Sequence, residues 1–133
     1  MTYLIPLIVF GLGQIVKIAI KLVQRRPIAL RHMLYGGMPS THAAIVASLA
    51  TVVGLREGFY STVFGITLIF STIVIYDAIQ LRAIVGQHSA ILNKLQAEGN
   101  GPSLPQIVGH SYSQVFAGVI FGIAVSLLLL VWW

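Results

Sequence analysis

Four apolar stretches, at about residues 3–23, 39–55, 59–81 and 111–133, take up most of this 133-residue chain. A membrane-spanning helix needs roughly 20 consecutive apolar residues, and each stretch reaches that length or comes close. Only 8% of the residues are Asp, Glu, Lys or Arg, and 57% are hydrophobic, against roughly 25% charged in a soluble protein. So few charges do not solvate a globule this small, whose surface is large for its volume. A soluble enzyme, a disordered tail and a coiled coil are excluded. The pattern predicts an all-α integral membrane four-helix bundle, a single domain over residues 1–133. Its helices are expected at about 3–24, 39–56, 59–85 and 110–132, with a polar extension of the third to about residue 98.

The net charge of +5 does not mark a nucleic-acid binder. There is no basic run beyond Arg25-Arg26, and no aromatic residues interleave with a basic patch. Basic residues gather instead in loops that stay cytoplasmic, or face an anionic substrate or headgroup. The absence of cysteine removes disulfides and thiolate chemistry. The N-terminus lacks a basic leading region and a small-residue cleavage site, so the first stretch is read as retained.

Two stretches carry packing signals. The second is rich in small residues (Ala43, Ala44, Ala47, Ser48, Ala50, Gly54) and is expected inside the bundle. In the fourth, Gly118, Gly122 and Ser126 recur every four residues, the spacing that lets helix backbones approach closely. The third continues into a polar segment with Ile91, Leu92 and Leu95 at helical spacing, stopped by Gly99-Asn100-Gly101-Pro102. It should project past the membrane or bend along its surface near Gly86. The loops after the first and third helices hold Arg25, Arg26, Arg31, Arg82 and Lys94, whereas the opposite side has Arg56 beside Glu57. That bias puts both loops in the cytoplasm and both termini outside.

Several polar residues sit where the membrane penalises them, by about 2.5 to 3.5 kcal/mol for Lys or Asp at a helix centre. Gln14, Lys17, Lys21 and Gln24 form one stripe on the first helix. Lys21 reaches the interface by snorkelling, but Lys17 is about 12 Å deeper than Arg25 at 1.5 Å per residue. Asp77 lies near the cytoplasmic end of the third helix. It is a partner for a buried cation or part of a site. Arg82, five residues on, is about 140° away around the helix, whereas His88 shares the Asp77 face if the helix is unbroken. The segment GGMPSTHAA, residues 36–44, opens the second helix, where exposed amides and the helix dipole form a phosphate cradle. Ser40 and Thr41 also suit plain capping there. The segment GHSYSQ, residues 109–114, places His110 before the fourth helix, where Ser111 and Gln114 match a capping box.

Arg26, His42, Asp77, Arg82 and His110 all fall at the cytoplasmic end in this reading. Two histidines with Lys and Arg at helix N-termini form a site for an anion, in which one imidazole attacks and the other donates a proton.

Pro39-Ser40-Thr41-His42 resembles the Pro-Ser-x-His motif of the type 2 phosphatidic acid phosphatases, relatives of the vanadium haloperoxidases. His110 to Gly118 resembles their helix-opening third motif, His-x-x-x-Asp-Val-x-x-Gly. Lys17 to Arg26-Pro27 is similar to a stretched first motif. Over roughly residues 12–123 the chain most resembles the divergent branch of that superfamily, the small acid phosphatase-related membrane proteins. GGMPSTHAA, YDAIQLRAIVGQHSAILN and Gly109-His110 carry that likeness.

The resemblance implies a truncated lipid-phosphatase-like helical core. In it His110 is the nucleophile, His42 the general acid, and Lys17, Arg26, Ser40 and Thr41 hold phosphate, with no cofactor. Two positions depart from the pattern: the orienting Asp of the third motif is Gln114, and its Arg is Leu104. Asp77 and Arg82, from the third helix, are the candidate replacements. An Asp beside the site also leaves Mg²⁺ assistance or an aspartyl nucleophile open.

The leading functional expectation is a phosphatase acting on a phosphorylated membrane lipid of the inner leaflet, in a bacterial plasma membrane. Phosphatidylglycerophosphate is the first substrate implied by the resemblance. The alternative is a non-catalytic protein that binds or moves phospholipids or polyprenyl phosphates. Nucleic acid is not an expected partner. Four helices enclose a small site where the wider family uses six. With the Gly118-Gly122-Ser126 face, that leads to a homo-oligomer.

The topology is testable in intact cells. A cysteine replacing Arg31 should resist membrane-impermeant thiol reagents, and one replacing Ser61 should react. The reverse pattern would overturn the orientation.

Overall fold

The computed structural model describes residues 2–24, 37–95 and 111–132, with backbone alone at 81–83. Four α-helices are present among the described residues: α1 (Ile5–Val23), α2 (Thr41–Glu57), α3 (Thr62–Leu95) and α4 (Tyr112–Trp132), with a single 3₁₀ turn at Thr2–Leu4 before α1. The protein is an all-α membrane protein.

Serines start three of these helices. At α2 the Ser40 hydroxyl accepts from the Ala43 amide at 3.4 Å. At α3 the Ser61 hydroxyl accepts from the Phe64 amide at 3.1 Å, and at α4 Ser111 accepts from the Gln114 amide at 3.3 Å. Each satisfies a helix-start donor that has no partner within its own helix. In lipid an unsatisfied amide costs several kcal/mol, so such caps matter most at ends near the membrane. Gln114 returns the bond, its side-chain oxygen accepting from the Ser111 amide at 3.2 Å. This is the reciprocal capping box that the spacing predicts.

Among the described residues three segments are long and apolar enough to cross a membrane: Thr2–Val23, Thr62–Leu95 and Tyr112–Trp132. Helix α2 has 17 residues and is about 25 Å long at 1.5 Å per residue, short of the roughly 30 Å hydrocarbon core. It packs against each of the other three. Its small residues are the reason: Ala43, Ala44, Val46, Ala47, Ser48 and Gly54 are buried, while large side chains on α3 and α4, such as Ile66, Phe70 and Leu128, face outward. Lipid tails are as apolar as leucine, so this association rests on close packing and hydrogen bonds rather than on hydrophobic burial.

The packing defines directions. Lys17 reaches Thr41, while Ile5 and Val9 share a core cluster with Val52, so α1 and α2 are antiparallel. Ser71 donates to the Val46 carbonyl at 3.3 Å, and Gly54 lies against Phe59 and Phe64, making α3 antiparallel to α2 as well. Helix α4 runs parallel to α2: Gly118 meets Ser40, Gly122 meets Ala44, and Ser126 donates to Ser48 at 2.6 Å. The starts of α2 and α4 therefore share one end of the bundle with the later parts of α1 and α3.

The Gly118-Gly122-Ser126 stripe, one of the two grounds for expecting a homo-oligomer, is covered by α2 of the same chain, the close helix packing that its spacing predicts. Helix α3 does not bend away near Gly86 but stays helical to Leu95, the projecting alternative of the two that the sequence leaves. Its 34 residues span about 51 Å, and the last part extends beyond a 30 Å core.

A Cβ at residue 122 would run into the Ala44 carbonyl, whereas one at residue 65 has nothing within 4 Å. Gly122→Ala should therefore destabilise the folded protein in detergent by about 1 to 3 kcal/mol, the usual cost of overpacking. Gly65→Ala should leave stability unchanged or raise it, because alanine is the better helix former. Equal thermal stability of the two variants would contradict the α2–α4 contact.

Candidate functional site

The shared end of the bundle is built around the first turn of α2. Ser40 is fully buried and Thr41 nearly so. The Ser40 amide leaves its own helix and donates to the Gln114 carbonyl of α4 at 3.0 Å. Four residues on, Gly118 lets α4 lie directly against the Ser40 carbonyl, where any side chain would collide. The two motif segments, 74 residues apart in sequence at Ser40 and Gln114, are thus held together backbone to backbone. Periodicity carries no signal for that bond, because it joins main-chain groups of two elements. The one hint is Gly118, the last residue of the third-motif pattern.

Lys17 enters from α1. It is 4% exposed, and its amine donates to Thr41 Oγ1 at 3.3 Å. Gly13, one turn earlier on α1, leaves room for the Thr41 methyl, to which a Cβ there would come within 3.1 Å. The amine therefore lies at the start of a helix, where free amides and the macrodipole already present partial positive charge. A cationic group and a helix N-terminus at one point repel each other and attract an anion. Lys21, one turn further along α1, is half-buried. The Gln14 side-chain oxygen is buried with no hydrogen-bond partner among the described residues.

His42, the second residue of α2, is half-buried. Asp77 is also half-buried and lies six residues past Ser71 on α3. Ser40 lies six residues before Val46, the partner of Ser71. With the helices antiparallel, Asp77 and Ser40 sit at about the same level, roughly 9 Å from that contact along each helix. Arg82 follows on α3, but its side chain lies outside the described residues, as do Arg26 and His110 entirely. Of the residues singled out from sequence, Lys17, Ser40 and Thr41 are joined directly, and His42 adjoins them in α2. Gln114, which stands at the third-motif Asp position, uses its side chain in the α4 capping box.

Chemically, the described part of this end offers an amine, two hydroxyls and an imidazole at a helix N-terminus, with a carboxylate at the same level on α3. These are groups that hold an anion and move a proton.

No solved structure matches the chain. It is similar to the protein described as "Uncharacterized membrane protein YuiD" of Bacillus subtilis (strain 168). The two are 30% identical over 135 residues, covering 88% of this chain and 85% of that one. The family described as "Divergent PAP2 family" matches residues 1–125. That span takes in the α1 lysine stripe, the start of α2, and the α4 start with Gly118, the elements that meet at one end of the bundle, and the chain belongs to the divergent PAP2 family.

Proposed function

We propose that the protein is a phosphatase that removes a terminal phosphate from a phosphorylated membrane lipid, with phosphatidylglycerophosphate as the first substrate to try. The observation that carries this reading is the Lys17 amine at the buried start of α2, beside Ser40 and Thr41. An amine at membrane depth is expensive, and at a helix N-terminus it is complementary to phosphate. Membership of the divergent PAP2 family supports the same chemistry.

In the proposed reaction, His110 attacks phosphorus, the bond from phosphorus to the lipid oxygen breaks, and His42 gives the departing oxygen a proton. Water then hydrolyses the phosphohistidine, releasing phosphate and restoring His110. Lys17, Arg26, Ser40, Thr41 and Arg82 hold the phosphoryl oxygens. Asp77, level with Ser40, replaces the Asp that Gln114 lacks and orients His110. The site faces the cytoplasm of a bacterial plasma membrane, the assembly is a homo-oligomer, and no cofactor takes part. Mg²⁺ enters only if Asp77 participates as its ligand.

A second reading, a protein that binds or moves phospholipids without turnover, is favoured by one observation. Gln114 has no carboxylate to stabilise an imidazolium, and its side chain already caps α4.

Phosphate release from a panel of lipid phosphates by purified protein, with and without EDTA, separates the two. Release should occur and should survive EDTA. His110→Ala should abolish it, and Lys17→Met should lower kcat by about 10² to 10³, as loss of a transition-state donor does. Asp77→Asn should cost about 10² to 10⁴. His42→Ala should hurt least with an activated aryl phosphate, whose leaving group needs no proton. No release from any lipid phosphate would favour the binding protein. A covalent phosphoryl group that survives His110→Ala and disappears with Asp77→Asn would make the aspartate the nucleophile.

A further inference from the structure

Helices α3 and α4 meet only marginally. Between them opens a groove of about 570 Å³, lined by Ile75 of α3 and by Tyr112, Ser113, Val115, Phe116 and Val119 of α4. Both walls belong to helices long and apolar enough to cross a membrane. Ile75 lies 13 residues into α3, which began at Thr62. That is about 20 Å along the helix and within a core roughly 30 Å thick. In a bilayer the groove lies at hydrocarbon depth, within reach of lipid tails.

Its α4 wall leads to the start of α2. Residues 112–119 of α4 flank that start, with Gly118 against Ser40. Tyr112 and Ser113 occupy the first turn, and the Ser113 hydroxyl is 2.9 Å from that of Ser111. The next residue, Gln114, takes the Ser40 amide. The groove thus shares the first two turns of α4 with the groups that meet the start of α2, where the Lys17 amine lies. The chain carries +5, complementary to an anionic headgroup.

We propose that this groove holds one acyl chain of an anionic phospholipid whose phosphate lies at the start of α2. This rests on the proposed function for the place of the phosphate, and not on turnover. An acyl chain gains no hydrophobic free energy on leaving other tails for the groove, because both surroundings are apolar. The headgroup supplies the preference, and the groove sets the depth and direction from which it arrives.

The test uses the intact protein in phosphatidylcholine nanodiscs containing a small fraction of phosphatidic acid with a photoactivatable diazirine in one acyl chain. After illumination, adducts should concentrate on Ile75 and residues 112–119 over Ile66, Phe70 and Leu128, which are also exposed on α3 and α4. The same diazirine on phosphatidylcholine should show no such concentration. Val119→Trp, which fills the groove, should lower adducts there by about tenfold, the effect of 1.4 kcal/mol. Where that variant is not recovered folded, the wild-type map decides alone. Adducts spread evenly over both surfaces, equal concentration with phosphatidylcholine, or indifference to Val119→Trp would each overturn the proposal. Labelling needs no catalysis. Groove labelling without phosphate release would sink the phosphatase reading and leave this one standing, and release without groove labelling would do the reverse.

Discussion

Gly118 and Gly122 bring the backbone of α4 against the carbonyls of Ser40 and Ala44, with no space for a single carbon between them. The rest of the architecture depends on that approach. It buries α2, a helix too short and too small in its side chains to face lipid alone. The Ser126 hydroxyl, which also donates to the Gly122 carbonyl at 2.7 Å, continues the contact through Ser48. Within a bilayer no hydrophobic force draws helices together, so van der Waals contact between close backbones and a few hydrogen bonds have to supply the association. Small residues at four-residue spacing are what makes such contact possible.

The same approach determines the electrostatics of the candidate site. Because α4 runs parallel to α2, both helix starts lie at one end, and their partial positive charges add. The antiparallel α1 brings Lys17 to that point from the opposite direction. Thr41 gives the amine a neutral acceptor, which compensates part of its desolvation but none of its charge. The protein thus brings a buried amine and two helix starts together at a place where doing so costs stability.

Helix α3 plays a different part. It is fastened to α2 through Ser71 and the Gly54 region but hardly touches α4. Among the described residues no other element fills that gap, which is where the groove lies.

Much of this was legible in sequence. Span lengths follow from apolar runs, because backbone in lipid has to be satisfied within each helix. Ser111 and Gln114 announce their capping box through local spacing, and Lys17 is conspicuous because burying an amine is costly. The glycine stripe of α4 announces a close neighbour but not whose backbone it is. A second copy and α2 satisfy the pattern equally, and the tertiary structure assigns it to α2. The Ser40–Gln114 bond had one hint, Gly118, and the shared level of Asp77 and Ser40 had none. Periodicity describes one helix's own faces, whereas pairing and register come from many weak contacts summed between helices distant in sequence. The sequence by itself determined the membrane, the helices and the suspects. The tertiary structure alone decided which of them meet, because that choice is a property of packing between elements and not of any one of them.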